Sequence, residues 1–229
     1  MRQFDFYEFA GLLVPGTTVL LALAAFFPAI PGGISGSSLG LGEVAAGSGV
    51  AYGLGHVVQA FGNLLEAGWW KLPGGMPSDW VGTGKASFLH ARQVEALPGK
   101  IAEQLGIGGI TLGGGTGWHG ITRQIYAAVS AAGRSGRVDT FNGNYGLCRG
   151  LAASFLFVAV LIVLRLGWSG RPYLSLASSA FLLAGWRAHR FGVHYARELF
   201  VQFLQLPKSR KGPSNVQRLR NRHALTWQC

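Results

Sequence analysis

Long apolar runs alternate with shorter polar segments along this chain. The runs occupy residues 9–30, 44–65, 150–166 and 172–206. Runs of about 20 apolar residues are long enough to cross a bilayer as helices, whereas a soluble core scatters its apolar residues at helical or strand spacing. The pattern predicts an all-α integral membrane protein with four transmembrane helices. It also predicts a helical, Gly-rich cytoplasmic insert between helices 2 and 3, and a long fourth helix that extends into the cytoplasm.

A cleaved signal peptide is the alternative for the first run, 9–30. The segment before this run contains two acidic residues, and the run is longer than the usual apolar part of a signal peptide. We therefore expect a retained span, with Pro15 placed to kink it.

The other three spans follow from the same pattern. Helix 2 is expected over about 43–65 and helix 3 over 150–168, where Trp168 would join an aromatic belt at the membrane interface. Helix 4 is expected over 172–206, from a proline at its first turn to the proline that follows it. This helix is longer than a bilayer requires, so its last third is expected outside the membrane.

Polar composition divides the chain into four segments. Transmembrane helices 1 and 2 fall in 1–68, the cytoplasmic insert in 69–147, helices 3 and 4 with the cytoplasmic extension in 148–206, and a basic, flexible tail in 207–229. Amphipathic spacing predicts three helices in the insert: one in TGKASFLHARQVEAL, one in PGKIAEQL that begins at Pro98, and one in GWHGITRQIYAAVSAAG. The stretch GIGGITLGGGTG is expected to be a loop or a short hairpin.

Basic charge sets the expected orientation. The net charge is +11, and nine Lys or Arg but one acidic residue follow Trp186. The segment 67–147 contains seven basic and four acidic residues, whereas 31–42 contains no charged residue. Because cytoplasmic loops carry the excess of Lys and Arg, both termini and the insert are expected in the cytoplasm, beneath a bacterial inner membrane. Arg165 and Arg171, in the short outer turn, count against this orientation and are outweighed.

A stripe of polar residues runs along the predicted second span, and we call it the polar seam. At about 100° per residue its members share one arc of the helix. They are Ser48, Tyr52, His56, Gln59, Asn63 and Glu66. Gly49 and Gly53 flank the seam at GxxxG spacing, which Gly146 and Gly150 repeat near span three, and both pairs predict close helix packing. Because unpaired polar groups in hydrocarbon are costly, the seam must face protein or water.

The cytoplasmic end of the fourth span has a stripe of its own. Its members are Arg187, Arg190, His194, Arg197, Glu198 and Gln205. Spans two and four run in the same direction, so Glu66 is expected at the depth of Arg187. We predict an ion pair between Glu66 and either Arg187 or Arg190.

Three interpretations of the polar seam stay open. The first is packing between helices with hydrogen bonds across them. The second is a water-filled path in an oligomer, lined by His56 and Glu66. The third is a catalytic or metal site that adds His189 and His194, but these two lie five residues apart on different faces, which is a poor zinc spacing. We therefore predict no catalytic residue, no metal and no cofactor.

The stretch FNGNYGLCRG, residues 141–150, precedes the third span. Its asparagines and glycines predict an entry into the helix with close packing, and a loop that contacts a ligand is the alternative. The two cysteines, Cys148 and Cys229, are too few and too far apart for a disulfide framework.

The tail after Pro207 has a cluster of basic side chains that we expect to bind a partner or lipid. Its members are Lys208, Arg210, Lys211, Arg218, Arg220 and Arg222. Such clusters bind anionic lipid, and they also bind nucleic acid through phosphate contacts. Nucleic acid is the weaker expectation, because Trp227 alone offers a ring for base stacking.

The expected function combines these observations. We predict a non-enzymatic, multi-pass inner-membrane module that forms a homo-oligomer and docks a soluble protein or nucleic acid on its basic cytoplasmic face. This architecture also fits the membrane subunit of a bacterial stress or phage-defence system. One alternative is an oligomeric channel or membrane-disrupting effector with the stripe from His56 to Glu66 lining its pore. Another is an intramembrane enzyme.

Overall fold

The described part of the chain is built from helices. A computed structural model describes residues 6–27, 40–113 and 117–208, with side chains from residue 9 onward. Of the described residues, 82% are helical and none is in a strand. The helices are α1 (Phe6–Phe26), α2 (Leu41–Trp69), α3 (Pro77–Gly82), α4 (Ala91–Leu105), α5 (Trp118–Ala131), α6 (Gly136–Leu166) and α7 (Arg171–Leu204), with a 3₁₀ turn (Gly167–Gly170) between the last two. The all-α fold is confirmed.

Four long helices form a bundle in which α6 is central. The helix α6 packs along most of α7, and its other side contacts α1 and α2. The helix α1 also packs against α2. We use "the bundle" for α1, α2, α6 and the first half of α7, and "the insert" for α3, α4, α5 and the end of α7 that they surround.

The helices α1 and α2 approach each other so closely that their backbones touch. A Cβ added at Gly16 would overlap the carbonyl of Ala51, and one added at Gly55 would overlap the carbonyl of Leu12. Glycine permits this approach because it has no side chain to separate the helices. Packing between the first two helices therefore depends on a pair of glycines that the spacing analysis did not select.

The insert has the most deeply buried core of the chain. Large side chains from α3, α4 and α5 pack with the start of α6 around the last turns of α7. The fully buried members are Val81, Leu97, Ile101, Ile125, Val129, Val138, Leu199, Phe200 and Phe203. Trp118 stacks on Phe200 with ring centroids 6.1 Å apart, and its indole Nε1–H donates to the carbonyl of Ser78 at 2.7 Å. The extension of α7 is thus the centre of a small helical domain.

The structure corrects two details of the insert. The two helices predicted on either side of Pro98 are one helix, α4, with the proline inside it. That helix begins only after His90, whose Nδ1 accepts from the backbone N–H of Arg92 at 3.4 Å. Proline is tolerated here although it removes one backbone bond, because Leu97 and Ile101 on either side of it are fully buried. The short helix α3 was not predicted.

Residues 141–150 lie inside α6, so the prediction of a helix entry or loop at this position is wrong. The helix begins at Gly136, well before the third apolar run. Asn144 does not interrupt it, because its side-chain amide donates to the carbonyl of Thr140 one turn earlier, at 3.0 Å. The helical extension carries Tyr145 and Arg149 towards α2.

Two stretches among the described residues are long and apolar enough to cross a membrane. They are Phe9–Phe26 in α1 and a stretch within Gly136–Leu204, a range that contains both α6 and α7. The helix α2 has the length, but its glycines and polar seam lower its mean hydropathy. Length and composition thus support membrane association.

Candidate functional site

Two members of the polar seam, Gln59 and Glu66, belong to a hydrogen-bonded network that joins three helices. The side-chain amide of Gln59 donates from Nε2 to the carbonyls of Gly11 at 2.7 Å and Gly146 at 3.0 Å. Its Oε1 accepts from Nη2 of Arg149 at 3.0 Å. One side chain on α2 therefore bonds to α1 once and to α6 twice.

Arg149 also forms an ion pair with Glu66, through its Nη1 and the carboxylate Oε2. Both side chains are largely buried, at 23% and 18% exposure. The guanidinium lies over the ring of Tyr145, 5.6 Å from the centroid, and the Tyr145 hydroxyl accepts from the indole Nε1–H of Trp70 at 2.8 Å. The Nε of Arg149 is buried and has no hydrogen-bond partner within the described residues. An extended polar network thus lies between α1, α2 and α6.

The predicted pairing of Glu66 with Arg187 or Arg190 is wrong. Arg187 lies over the ring of Phe191 and Arg190 over that of Trp186, each 5.1 Å from the centroid. Glu66 bonds to Arg149 instead, because α2 packs against α6 at this level. The sequence could have indicated Arg149 as a partner, because it is the one charged residue in the stretch 141–150.

Four members of the polar seam make no hydrogen bond across helices within the described residues. Ser48 donates to the carbonyl of Val44 in its own helix at 2.8 Å. Tyr52 stacks on Phe9 and meets His56 edge-on, with centroids 4.9 Å apart. The side chains of Ser48, Tyr52, His56 and Asn63 are exposed. The structure therefore divides the predicted seam into two bonded residues and four that face outward.

The predicted GxxxG pairs occupy different surroundings. A Cβ at Gly150 would contact Gln59 and Pro15, so this glycine packs inside the bundle. Gly146 contributes its carbonyl to Gln59. Gly49 and Gly53 have no other part of the described chain within 4 Å of a Cβ position, so any packing there requires a partner.

The stripe on α7 remains mostly on the surface. Arg187, Arg190 and Arg197 are exposed, and within the described residues none of them forms an ion pair. His194 stacks on Phe141 with centroids 5.5 Å apart. Glu198 lies 3.6 Å from the Nε of Arg137, which is 74% exposed. We call the three exposed arginines the basic ridge.

His189 lies among aromatic rings and away from other metal ligands. It stacks on Trp70 with centroids 5.0 Å apart, and its Nδ1 accepts from the indole Nε1–H of Trp69 at 3.3 Å. Within the described ranges no three His, Cys, Asp or Glu side chains converge as a metal site would require. The only cysteine that the structure describes, Cys148, is a free thiol.

A cleft of about 1020 Å³ lies between the bundle and the insert, and sequence analysis did not predict it. One face of α6 lines it, including Asp139, Asn142 and Gly146, while α1 and α2 line one side and α5 the other. Its side chains come from distant parts of the chain, so no local motif marked it.

Most of the predicted basic tail lies outside the described residues. Lys208 is exposed and is the last described residue. The remaining five members of the cluster, Arg210, Lys211, Arg218, Arg220 and Arg222, lie beyond it. In the Gly-rich loop, Gly113 donates its backbone N–H to the carbonyl of Gly82 at 2.7 Å, while 114–116 lie outside the described ranges.

No family model, curated protein or solved structure matches this chain.

Proposed function

We propose that this chain is a non-enzymatic, four-span membrane module that self-associates and docks an acidic soluble partner on its basic cytoplasmic face. The observation that carries the proposal is the reversed polarity of the bundle. Large apolar side chains such as Leu164, Leu176 and Leu183 are 60% exposed or more, while an ion pair lies between the helices. Water would oppose this arrangement, whereas a bilayer stabilises it.

The positions of the arginines support spans of bilayer length. Arg149 and Arg165 on α6, and Arg171 and Arg187 on α7, each lie about 24 Å apart along the helix axis at 1.5 Å per residue. No charged residue lies between the members of either pair. A hydrocarbon layer of about 30 Å would fit each interval, because Arg165, Arg171 and Arg187 can extend towards the interface. The charge of Arg149 is neutralised by Glu66.

Aromatic residues accompany the arginines at both ends. Trp168 lies beneath the guanidinium of Arg171, 5.0 Å from it, and Trp186 lies beneath that of Arg190. Tryptophan prefers both interfaces of a membrane. The short turn after α6 would therefore lie at one boundary of the proposed bilayer region. The start of the basic ridge on α7 would lie at the other boundary.

The exposed face of α2 supports self-association. Gly49 and Gly53 are open, and His56 and Asn63 beside them make no hydrogen bond within the described residues. Polar side chains facing lipid are costly, whereas small residues with polar neighbours are typical of helix interfaces. A second copy of the chain on this face would cover both the open glycines and the polar side chains.

The basic ridge supports docking of an acidic partner. Since Glu66 pairs with Arg149, the three arginines of the ridge keep their charge for contacts outside the chain. They lie along one side of α7 as it leaves the proposed bilayer and enters the insert. A surface of this charge attracts acidic proteins and nucleic acids alike.

Thiol labelling of intact vesicles tests the topology. In a chain with both native cysteines replaced by Ser, a Ser38→Cys variant should react with an impermeant maleimide from the outside. A Ser87→Cys variant, exposed in the insert, should react only after permeabilisation. Labelling of both positions from the same side would refute the four-span arrangement.

Binding to acidic polymers tests the ridge. Polyglutamate and a duplex oligonucleotide are titrated against the full chain in detergent at increasing salt. Replacing Arg187, Arg190 and Arg197 by Gln should weaken polyglutamate binding and reduce its salt dependence. The matched control replaces Lys71, Lys85 and Arg92, which removes the same charge from the insert surface. Equal loss in both variants would mean that overall charge, and not the ridge, holds the partner.

A channel is the second candidate, and the outward-facing half of the seam favours it. If copies associate through α2, His56 and Asn63 would face one another near the axis of the oligomer. Ion flux through liposomes tests this, with His56→Ala and Asn63→Ala beside His90→Ala as a control in the insert. Flux that changes only in the first two variants would establish a water path. No flux from folded, oligomeric protein would leave the seam as packing.

A further inference from the structure

The cleft between bundle and insert is lined by aromatic rings from α1 and α2 and by basic side chains from α5. Phe9, Leu12 and Tyr52 line it from α1 and α2 together with the polar side chains of His56 and Gln59, and Phe9 and Tyr52 stack with centroids 6.4 Å apart. His119 and Arg123 line it from α5. Aromatic rings on the bundle side and a guanidinium on the insert side suit a ligand that is itself amphiphilic.

The charged groups of the cleft differ in how far they are already bonded. Its two carboxylates have partners within the chain: Glu66 pairs with Arg149, and Asp139 accepts from the hydroxyl of Tyr126 at 2.8 Å. His119 and Arg123 make no hydrogen bond or ion pair with any described residue. Arg123 therefore keeps its whole guanidinium for a ligand, and this group favours an anion.

The volume also agrees with a ligand of lipid size. At about 1020 Å³ the cleft is at the upper end of the usual range for small-molecule sites, about 300–1000 Å³. A free phosphate would occupy only a small part of it, whereas a phospholipid could place its headgroup at α5 and part of its acyl chains along α1 and α2.

We propose that the cleft binds a phosphate-bearing amphiphile, an anionic phospholipid, with Arg123 and His119 on the phosphate and Phe9 and Tyr52 against the chain. The proposal goes beyond docking at the basic ridge, which lies on α7 outside the cleft. It rests on the membrane placement proposed above, and the vesicle labelling tests that placement separately. A chain that labels as four spans but binds no lipid here would refute the cleft proposal alone.

Lipid binding to the full chain in zwitterionic detergent provides the test. Fluorescent phosphatidylglycerol and phosphatidylcholine with the same acyl chains are titrated, and phosphatidylglycerol should bind at least about tenfold more tightly. Arg123→Gln should weaken its binding about tenfold, the loss expected for one charge-assisted hydrogen bond. Phe9→Ala should weaken both lipids. Arg92→Gln is the matched control, because it removes the same charge from an exposed position outside the cleft.

Competition separates lipid from soluble phosphate. Inorganic phosphate and glycerol phosphate at millimolar concentration should displace little bound phosphatidylglycerol if the chain contributes to affinity. Complete displacement by inorganic phosphate would overturn the amphiphile and indicate a phosphate site. Equal weakening by Arg92→Gln and Arg123→Gln, or equal affinity for the two lipids, would overturn the cleft as the site. Unchanged circular dichroism and elution volume show that each variant is folded.

Discussion

Leu183 and Phe200 belong to the same helix, α7, but have opposite environments. Leu183, in the bundle, is 60% exposed, whereas Phe200, in the insert, is completely buried. The bundle turns large apolar side chains outward and holds a polar network inside, while the insert has an apolar core and a charged surface. One continuous helix thus passes between two regions that require different surroundings, and burial alone does not measure how much a residue stabilises the protein.

The largest effect is expected from a substitution in the core of the insert. Replacing Phe200 by Ala leaves a cavity in the core and should lower the free energy of unfolding of the insert by about 3–5 kcal/mol. The same truncation at Leu183 should cost much less in detergent, because micelle replaces the lost contact. Limited proteolysis of the purified chain, followed at the insert, measures the difference. Equal sensitivity of the two variants would mean that the regions do not differ as described.

A smaller effect is expected where the bundle backbones touch. Gly55→Ala would force α1 away from α2 and should destabilise the bundle by about 1–3 kcal/mol, as overpacking does. Gly53→Ala, two residues earlier on the open face, should leave the monomer unchanged or stabilise it, because alanine favours helix by about 1 kcal/mol. Thermal unfolding in detergent compares the two. Reduced self-association by Gly53→Ala would support the proposed α2 interface.

Next in size is the ion pair of the bundle. Removing one partner, as in Glu66→Gln, should cost about 1–3 kcal/mol, less than for a fully buried pair because both side chains keep some exposure. The double variant Glu66→Gln with Arg149→Gln should recover part of this loss. The pair of Arg137 and Glu198 is the control, since its arginine is 74% exposed and its loss should cost less than about 1 kcal/mol. Additive losses in the thermal melts of the Glu66 and Arg149 variants would show that the two do not act as a pair.

The smallest effect distinguishes the bonded members of the polar seam from its outward-facing members. Gln59→Leu removes three hydrogen bonds and leaves two carbonyls without this donor, so we expect a loss of about 1–2 kcal/mol. Asn63→Leu removes an exposed amide and should not change the unfolding of the monomer. Chemical unfolding in detergent, with elution volume as a second readout, distinguishes them. Similar unfolding losses in both variants would contradict the division of the seam.

Part of the site was predictable and part was not. The periodicity of α2 placed Gln59 and Glu66 on one stripe, and the structure shows that both bond across helices. It did not separate them from His56 and Asn63, because a helical projection shows which residues share a face and not what lies opposite. The partner of Glu66 was predicted wrongly for the same reason. Equal depth in the membrane favoured Arg187 on α7, but the helix that carries the partner, α6, packs on α2.

The sequence by itself determined the helical fold, the extent of α7 and the apolar character of the long helices, because helix periodicity and hydrophobicity are local properties. Only the tertiary structure decided which glycines allow contact, which arginine neutralises Glu66, and that α1, α2, α5 and α6 enclose a cleft. These features depend on packing between segments far apart in the chain. Gly16 and Gly55 illustrate this, since they do not share a motif and are neighbours only after two helices meet.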